Sequence, residues 1–313
     1  MSEQLQQKLK YDLIVILGAT ATGKTELAAS LAHILGSEII SADSRQVYRG
    51  MNLGTGKDYE DYTINGKKIP YHLIDVADPG EKYNVFEFQK DFLKAYKDIK
   101  SRGITPILCG GTGMYIESVL NGYKLLPVPP NPIRRSELNK KNIPDLIALL
   151  NSLTEIHNTT DLKNKKRLIR AIEIAEYNRN NSLNEEPFPK LTPIVFGLKY
   201  ERDTRRKRIT KRLQNRLESG MIEEVQALLK TNSADDLIYY GLEYKYLTLY
   251  CTGEISREDL FKQLNTAIHQ FAKRQMTWFR KMEKDGHKII WLEGEMKKEH
   301  KIELMLEKLQ KEV

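Results

Sequence analysis

The hydrophobic pattern opens with an unbroken apolar run, Leu13-Ile14-Val15-Ile16-Leu17, which is the length of a strand buried on both faces. Past a glycine-containing turn, residues 26–35 read as an amphipathic helix, and 38–42 as a second short strand. Residues 71–76 form another candidate strand, closed by the turn Asp78-Pro79-Gly80. Between 85 and 100 the apolar positions Val85, Phe88, Phe92, Leu93, Tyr96 and Ile99 recur at helical spacing, so this helix packs on a core. Residues 104–109 give a further strand that runs into Gly110-Gly111-Thr112-Gly113. Strands alternating with helices predict the α/β class: a parallel sheet flanked by helices.

The pattern changes at Leu126-Pro127-Val128-Pro129-Pro130-Asn131-Pro132, a proline-rich stretch that is poor for sheet and marks a boundary. From 133 to about 177 the reading is helical, with Leu146, Ile147, Leu149, Leu150 and Leu153 apolar and a basic stretch at Lys163, Lys165, Lys166, Arg167 and Arg170. Residues 178–190 are polar and read as a loop, and 193–198 are strand-like again. The expected organisation is therefore a core over 1–125, a mostly helical insertion over 126–190, and a return to the core with C-terminal helices over 191–313. In the basic segment 199–216, Arg208, Arg212 and Arg216 fall at i, i+4 and i+8, parallel to the stripe Ile209, Leu213 and Leu217. One face of that helix packs while the other presents guanidinium groups. Residues 235–251 carry five tyrosines, Tyr239, Tyr240, Tyr244, Tyr246 and Tyr250, suited either to stacking on bases or to packing. A long helix over 255–282, a last strand over 288–292 and a charged C-terminal helix complete the chain.

Composition narrows the function. With 40% hydrophobic residues among 313, the chain can bury a sizeable core. Lys and Arg outnumber Asp and Glu by 50 to 42, a formal charge of +8 that favours polyanionic partners such as nucleic acid. The two cysteines, Cys109 and Cys251, are too few for a disulfide framework or a zinc cluster, and buried or inert thiols are expected. No apolar stretch approaches a membrane span and the first ten residues are polar, so a cytoplasmic protein without membrane association is expected.

The candidate chemistry gathers at expected strand ends. Gly18-Ala19-Thr20-Ala21-Thr22-Gly23-Lys24-Thr25 fits G-x-x-x-x-G-K-[ST], the P-loop, with the required strand before it and helix after it. Its glycines let the backbone wrap an anion, Lys24 adds a positive charge, and the Thr25 hydroxyl can reach a Mg²⁺ that bridges the same phosphates. The loop does not distinguish ATP, GTP and a non-nucleotide diphosphate. Asp43 follows the second strand, where it either faces the ligand crevice or serves as a cap or turn former. Asp75 is its rival for metal or base work. Thr112 sits on a glycine-rich strand-to-helix junction that lets a ligand approach closely. The arginines of 199–216 are suited to neutralising a transferred or departing phosphate.

Taken together these residues resemble one family, the tRNA dimethylallyltransferases, across nearly the whole chain. The matching pieces are Gly18 to Thr25, Ser41-Ala42-Asp43-Ser44-Arg45-Gln46-Val47-Tyr48-Arg49-Gly50-Met51, Asp78-Pro79 and Gly110-Gly111-Thr112-Gly113-Met114-Tyr115. Arg167-Leu168-Ile169-Arg170-Ala171-Ile172-Glu173, Arg208-Ile209, Arg212 and Ala272-Lys273-Arg274-Gln275-Met276-Thr277-Trp278 follow in the family's order. The resemblance implies a P-loop NTPase-like sheet and transfer of a dimethylallyl group from dimethylallyl diphosphate to N6 of adenine 37, with Mg²⁺, in tRNAs reading codons that begin with U. The residues from Gly18 to Thr25 would bind the diphosphate, with Thr25 at the metal. Asp43 would take the N6 proton, Thr112 would contact the reacting region, and Arg212 would stabilise the leaving group. Asp43, Ser44, Arg45, Gln46, Arg135, Lys166, Arg167, Arg170, Tyr240 and Gly241 would touch tRNA, the helical insertion gripping the anticodon stem-loop. A stacked adenine must be extruded to reach such a site. The protein is expected to act as a monomer.

Several positions depart from the family pattern: Ala19 and Thr22 replace the usual Pro and Ser, Gly56 and Asp58 stand where Ala and Pro are usual, and Tyr240-Gly241-Leu242-Glu243-Tyr244 replaces a Gly-Tyr-Lys/Arg segment. The alternatives are a small-molecule P-loop kinase, an RNA-binding nucleotide switch, and an isopentenyltransferase acting on free adenine nucleotides. The kinase leaves the basic insertion idle, the switch has no use for Asp43, and a free nucleotide needs no anticodon grip.

Overall fold

The computed structural model describes residues 9–155, 161–181 and 188–310. The chain runs from β1 (Leu13–Gly18) through α1 (Lys24–Leu35) to β2 (Ile39–Ala42). A 3₁₀ turn at Tyr59–Tyr62 precedes the small hairpin β3 (Thr63–Ile64) and β4 (Lys67–Lys68), then β5 (Tyr71–His72), α2 (Val85–Ser101), β6 (Ile107–Gly110) and α3 (Gly113–Leu120). Next come α4 (Pro132–Asn139), α5 (Ile143–Leu153) and α6 (Lys165–Asn180). The chain returns through β7 (Pro193–Lys199), α7 (Arg202–Glu218), α8 (Met221–Leu228), α9 (Ala234–Tyr239), α10 (Leu242–Cys251) and α11 (Arg257–Lys284), and ends with β8 (Ile289–Glu293) and α12 (Lys298–Gln310).

Residues 13 to 17 are completely buried, which requires cover on both faces of the sheet. Ile14 and Ile16 share one cluster with Leu27, Leu31 and Leu35 of α1 and with Ile302, Met305 and Leu309 of α12. Leu13, Val15 and Leu17 alternate with them. The six strands lie in the order β5-β2-β6-β1-β7-β8, and every pairing is parallel. Because β6 inserts between β1 and β2, the C-terminal ends of these three strands come side by side. That is the ligand-binding edge of an open α/β sheet.

The chain divides into two compact units, one of residues 1–122 with 190–313 and one of residues 123–189. The second has its own apolar centre of Leu138, Leu146, Leu150, Leu168, Ile169 and Ile172. Each of its helices starts on an asparagine whose side chain accepts from a backbone N–H: Asn131 from Arg134, Asn142 from Asp145 and Asn164 from Arg167. The reading of 133–177 as helical resolves into these three helices, and α6 continues to Asn180 where a loop was expected. The rest of that expected loop lies mostly outside the described residues.

One strand is shorter than its pattern. Residues 71–76 pair only at Tyr71 and His72, because Leu73 (φ 62°) and Asp75 (φ 56°) take left-handed backbone angles that no ladder accommodates. The pairing is locked from the neighbouring strand's entrance. The Glu38 carboxylate accepts from both guanidinium branches of Arg102 and lies 2.7 Å from His72 Nε2. The hydrogen-bonded Arg102 guanidinium, opposed by burial and aided by His72, holds the Glu38 carboxyl below its ordinary value of 4.5. Since the folded-state pKa lies below the unfolded one, this contribution is complete above about pH 4.5 and is lost as pH falls through the folded value. Glu38→Gln should therefore lower stability at pH 7 by about 1–3 kcal/mol and flatten the acid limb of unfolding, measured by urea titration from pH 3 to 7.

Candidate active site

Gly23 (φ 79°) and Ala21 (φ 62°) bend the backbone after β1, and α1 begins at Lys24, so its N-terminus opens onto the loop. The Ala19 carbonyl accepts from Thr22 Oγ1 at 2.9 Å and Lys24 Nζ at 3.4 Å, which curls the loop on itself. Thr22 is thereby turned inward and buried, and it acts on the loop's shape. Desolvation lowers the Lys24 pKa, while the Asp43 and Asp58 carboxylates pull it back up.

A residue distant in sequence holds the loop against the neighbouring strand end. Gln275, buried on α11, accepts from Thr20 N at 2.9 Å through Oε1 and donates Nε2 to Gly111 O at 2.9 Å. Its Nε2 lies where a side chain at residue 111 would begin, and the Trp278 ring lies where one at residue 113 would begin. Gly111 and Gly113 thus lie against α11, whereas a side chain at Gly110 would meet the Ala42 backbone of β2.

Asp43 follows β2. Its Oδ1 accepts from Arg45 N at 3.0 Å, so it does form a turn, and its side chain also lines the cavity. Thr112 Oγ1 accepts from Ser44 N at 3.0 Å and lies 3.3 Å from Ser44 Oγ, which joins the ends of β2 and β6. Gln46 Nε2 donates to Gly56 O at 3.0 Å. Arg45 lies over the Tyr239 ring, 5.9 Å from its centroid.

The arginines of α7 reach one place, as their spacing predicts. Arg208 Nε donates to Ala21 O at 2.9 Å, and Arg212 Nη1 lies 3.3 Å from Thr20 Oγ1. Arg212 and Arg216 both hold Asp58, with Nη2 to carboxylate distances of 2.6 Å and 3.0 Å. The result is a cavity of about 470 Å³ with Thr20, Lys24, Thr25, Arg212 and Arg216 at its cationic part and Asp43 and Thr112 also in its wall. Cys109 contributes a neutral thiol, pushed up to about 12 by burial, so thiolate chemistry is absent there.

Two sequence readings change. Asp75 is engaged, accepting from Lys57 Nζ and Tyr59 Oη at 2.5 Å each, and is not among the residues lining the cavity. Tyr240 is buried, with its hydroxyl accepting from Gly80 N and its ring edge-on to Tyr48, so it has no surface for RNA; Tyr239, 53% exposed, has one. Arg135 and Arg170 belong to the second unit, where both hold the buried Glu173, Arg135 through two bonds of 2.9 and 2.8 Å, and Arg170 also donates to Val128 O. Lys166 and Arg167 lie on the exposed face of α6. Gly241 and Ser44 line the cavity as well. Sequence reasoning missed Gln275 as a site residue, although its Lys-Arg-Gln run was noticed. It also missed Glu224, which accepts from the consecutive amides of Asn52, Leu53 and Gly54 and from Tyr244 Oη.

Residues 46–282 match the family model described as IPP transferase, and 11–69 match isopentenyl transferase. The chain belongs to the IPP transferase family. It is 58% identical over 300 residues to a Bacteroides fragilis protein named tRNA dimethylallyltransferase 2, covering 96% of this chain and 98% of that one. The crystal structure of a full-length tRNA isopentenylpyrophosphate transferase from Bacillus halodurans aligns at TM-score 0.69 with 32% identity, over 96% of this chain and 99% of that one. A eukaryotic dimethylallyltransferase, crystallised acting on tRNA, shares the fold at TM-score 0.72 and 22% identity, over 90% and 73% of the two chains. The P-loop NTPase-like α/β architecture is thus that of the family.

Gln275→Ala leaves Thr20 N–H and Gly111 C=O without their partner and should cost about 2 kcal/mol in urea unfolding. Gln275→Glu keeps the acceptor but sets an oxygen against the Gly111 carbonyl, and should cost no less.

Proposed function

We propose that this chain transfers the dimethylallyl group of dimethylallyl diphosphate to N6 of adenine 37 in tRNAs reading codons that begin with U. The observation that carries the reading is one cavity whose wall joins a phosphate-binding loop and its arginines to Asp43 and Thr112. The adenine amine attacks C1 of the isoprenoid, the C1–O bond breaks, and diphosphate departs toward Lys24, Thr25 and Arg212, whose positive charges and donors stabilise the growing charge. The N6 proton passes to Asp43. Thr112, already tied to Ser44, keeps the Asp43 turn beside the β6 end.

The Thr25 hydroxyl, in the cavity wall beside Lys24, is the side-chain oxygen of the loop that would hold a Mg²⁺. Among the described residues there is no cluster of three His, Cys, Asp or Glu side chains that would form a protein cage for it. Such an ion, when bound, would supply positive charge against the leaving group. We assign the second unit, with Lys166 and Arg167 exposed, to the anticodon stem-loop, and we infer a cytoplasmic monomer. No helix among the described residues is long and apolar enough to cross a membrane. The relatives' names support tRNA as acceptor over a small-molecule kinase substrate.

With Mg²⁺, dimethylallyl diphosphate and unmodified tRNA, mass analysis should find prenylated adenosine 37; transfer of the ATP γ-phosphate to an acceptor instead would establish a kinase. Asp43→Asn should lower kcat by about 10² or more while tRNA affinity stays close to wild type. Lys166→Ala should weaken tRNA binding and reduce the slope of log affinity against log salt by roughly one, read by filter binding over a salt series.

A further inference from the structure

The Asp58 carboxylate occupies the two guanidinium groups best placed for an anion. Arg212 Nη2 lies 2.6 Å from its Oδ2, and Arg216 Nη2 lies 3.0 and 3.2 Å from its two oxygens. Arg212 also reaches Thr20 Oγ1 in the P-loop, so this ion cluster is continuous with the phosphate cradle. A second hollow at the same loop, of about 320 Å³, is lined by Lys24, Thr25, Asp58, Asp61, Arg208 and Arg212.

The segment carrying Asp58 is firmly held. Three consecutive amides, of Asn52, Leu53 and Gly54, donate to Glu224 at 2.9, 2.8 and 3.1 Å. Lys57 is tied to Asp75 and to the Tyr48 carbonyl. Gly56 takes φ +74°, a backbone angle that favours glycine, and the Arg216 guanidinium lies 2.5 and 2.8 Å from where a Cβ would stand, so a side chain there would push against the group that reaches Asp58. Burial disfavours ionisation of Asp58, but the guanidiniums of Arg212 and Arg216 outweigh it and hold the carboxyl below its ordinary range. The Arg216 side chain is 13% exposed and without Asp58 would be a desolvated cation lacking this counter-charge.

We propose that Asp58 is a placeholder anion, which keeps Arg212 and Arg216 aimed at the cradle in the free protein and competes with the diphosphate for them. Identifying the anion as a diphosphate rests on the proposed function. Asp58 is a positioning residue in this scheme: the incoming diphosphate takes over the guanidinium donors, and as product leaves, the carboxylate recaptures them and speeds its release. The acid therefore weakens diphosphate affinity and preserves the geometry of its site.

The test is calorimetric titration of the full chain with inorganic pyrophosphate in EDTA, wild type against Asp58→Asn, with Asp58→Ala as a second removal and far-UV circular dichroism to select the variant that keeps its helices. The expected result is pyrophosphate affinity raised about tenfold, since the competing charge is gone. In steady state, KM for dimethylallyl diphosphate should fall and product inhibition by pyrophosphate deepen. Unchanged or weaker pyrophosphate binding in a folded variant overturns the proposal. Binding of inorganic pyrophosphate needs no turnover, so the two readings fail separately. Tighter binding in a protein that prenylates no tRNA retains the placeholder and rejects the transfer, whereas unchanged binding in an active enzyme does the reverse.

Discussion

One side-chain amide ties the phosphate loop to the rest of the site. Gln275 binds the Thr20 N–H and the Gly111 carbonyl with the same group, its amide oxygen accepting from the first and its amide nitrogen donating to the second. The parallel sheet brings the ends of β1, β2 and β6 side by side, but strand ends are connected to loops, and loops move. Gln275 fixes the distance between the β1 loop and the β6 junction, and Thr112 then fixes the β6 junction to the turn after β2 through Ser44. Asp43 and Lys24 face one cavity because of these two links.

The charges follow the same geometry. α7 presents Arg208, Arg212 and Arg216 one turn apart, and each finds an oxygen of the P-loop or of Asp58. Ile209 and Leu213 are buried on its other side, so the register of the cations is set by packing and is not free to slide. The cation-rich wall suits an anionic group, and the Asp43 carboxylate lies in the wall of the same cavity.

Most of the sheet was legible because buried parallel strands are continuous apolar runs and the P-loop fixes a strand, a turn and a helix at once. The exceptions have physical reasons. The left-handed backbone at Leu73 and Asp75 leaves no mark in a pattern of apolar positions, so 71–76 reads as a longer strand than it is. The hairpin of β3 and β4 turns on Asn65-Gly66, both at positive φ, a signal present in the sequence but flanked by strands of only two residues. Tyr239 and Tyr240 are adjacent and alike in composition, and only the position of Gly80 and Tyr48 decides which is buried. The links made by Gln275 and Glu224 join segments more than 150 residues apart, beyond what spacing reveals. Two departures from the family pattern, Gly56 and Asp58, become intelligible as a pair once Arg216 is seen lying between them.

The central claim is that a loop of the nucleotide-binding type here holds an isoprenoid's diphosphate with a carboxylate across the cavity. The most direct measurement is a crystal structure with a thio-linked, unreactive analogue of dimethylallyl diphosphate and an anticodon stem-loop. The account predicts diphosphate oxygens on Lys24, Thr25 and Arg212, with the extruded adenine's N6 between the isoprenoid C1 and Asp43. A nucleoside triphosphate retained in the loop in place of the analogue, with Asp43 turned away from the base, would contradict it.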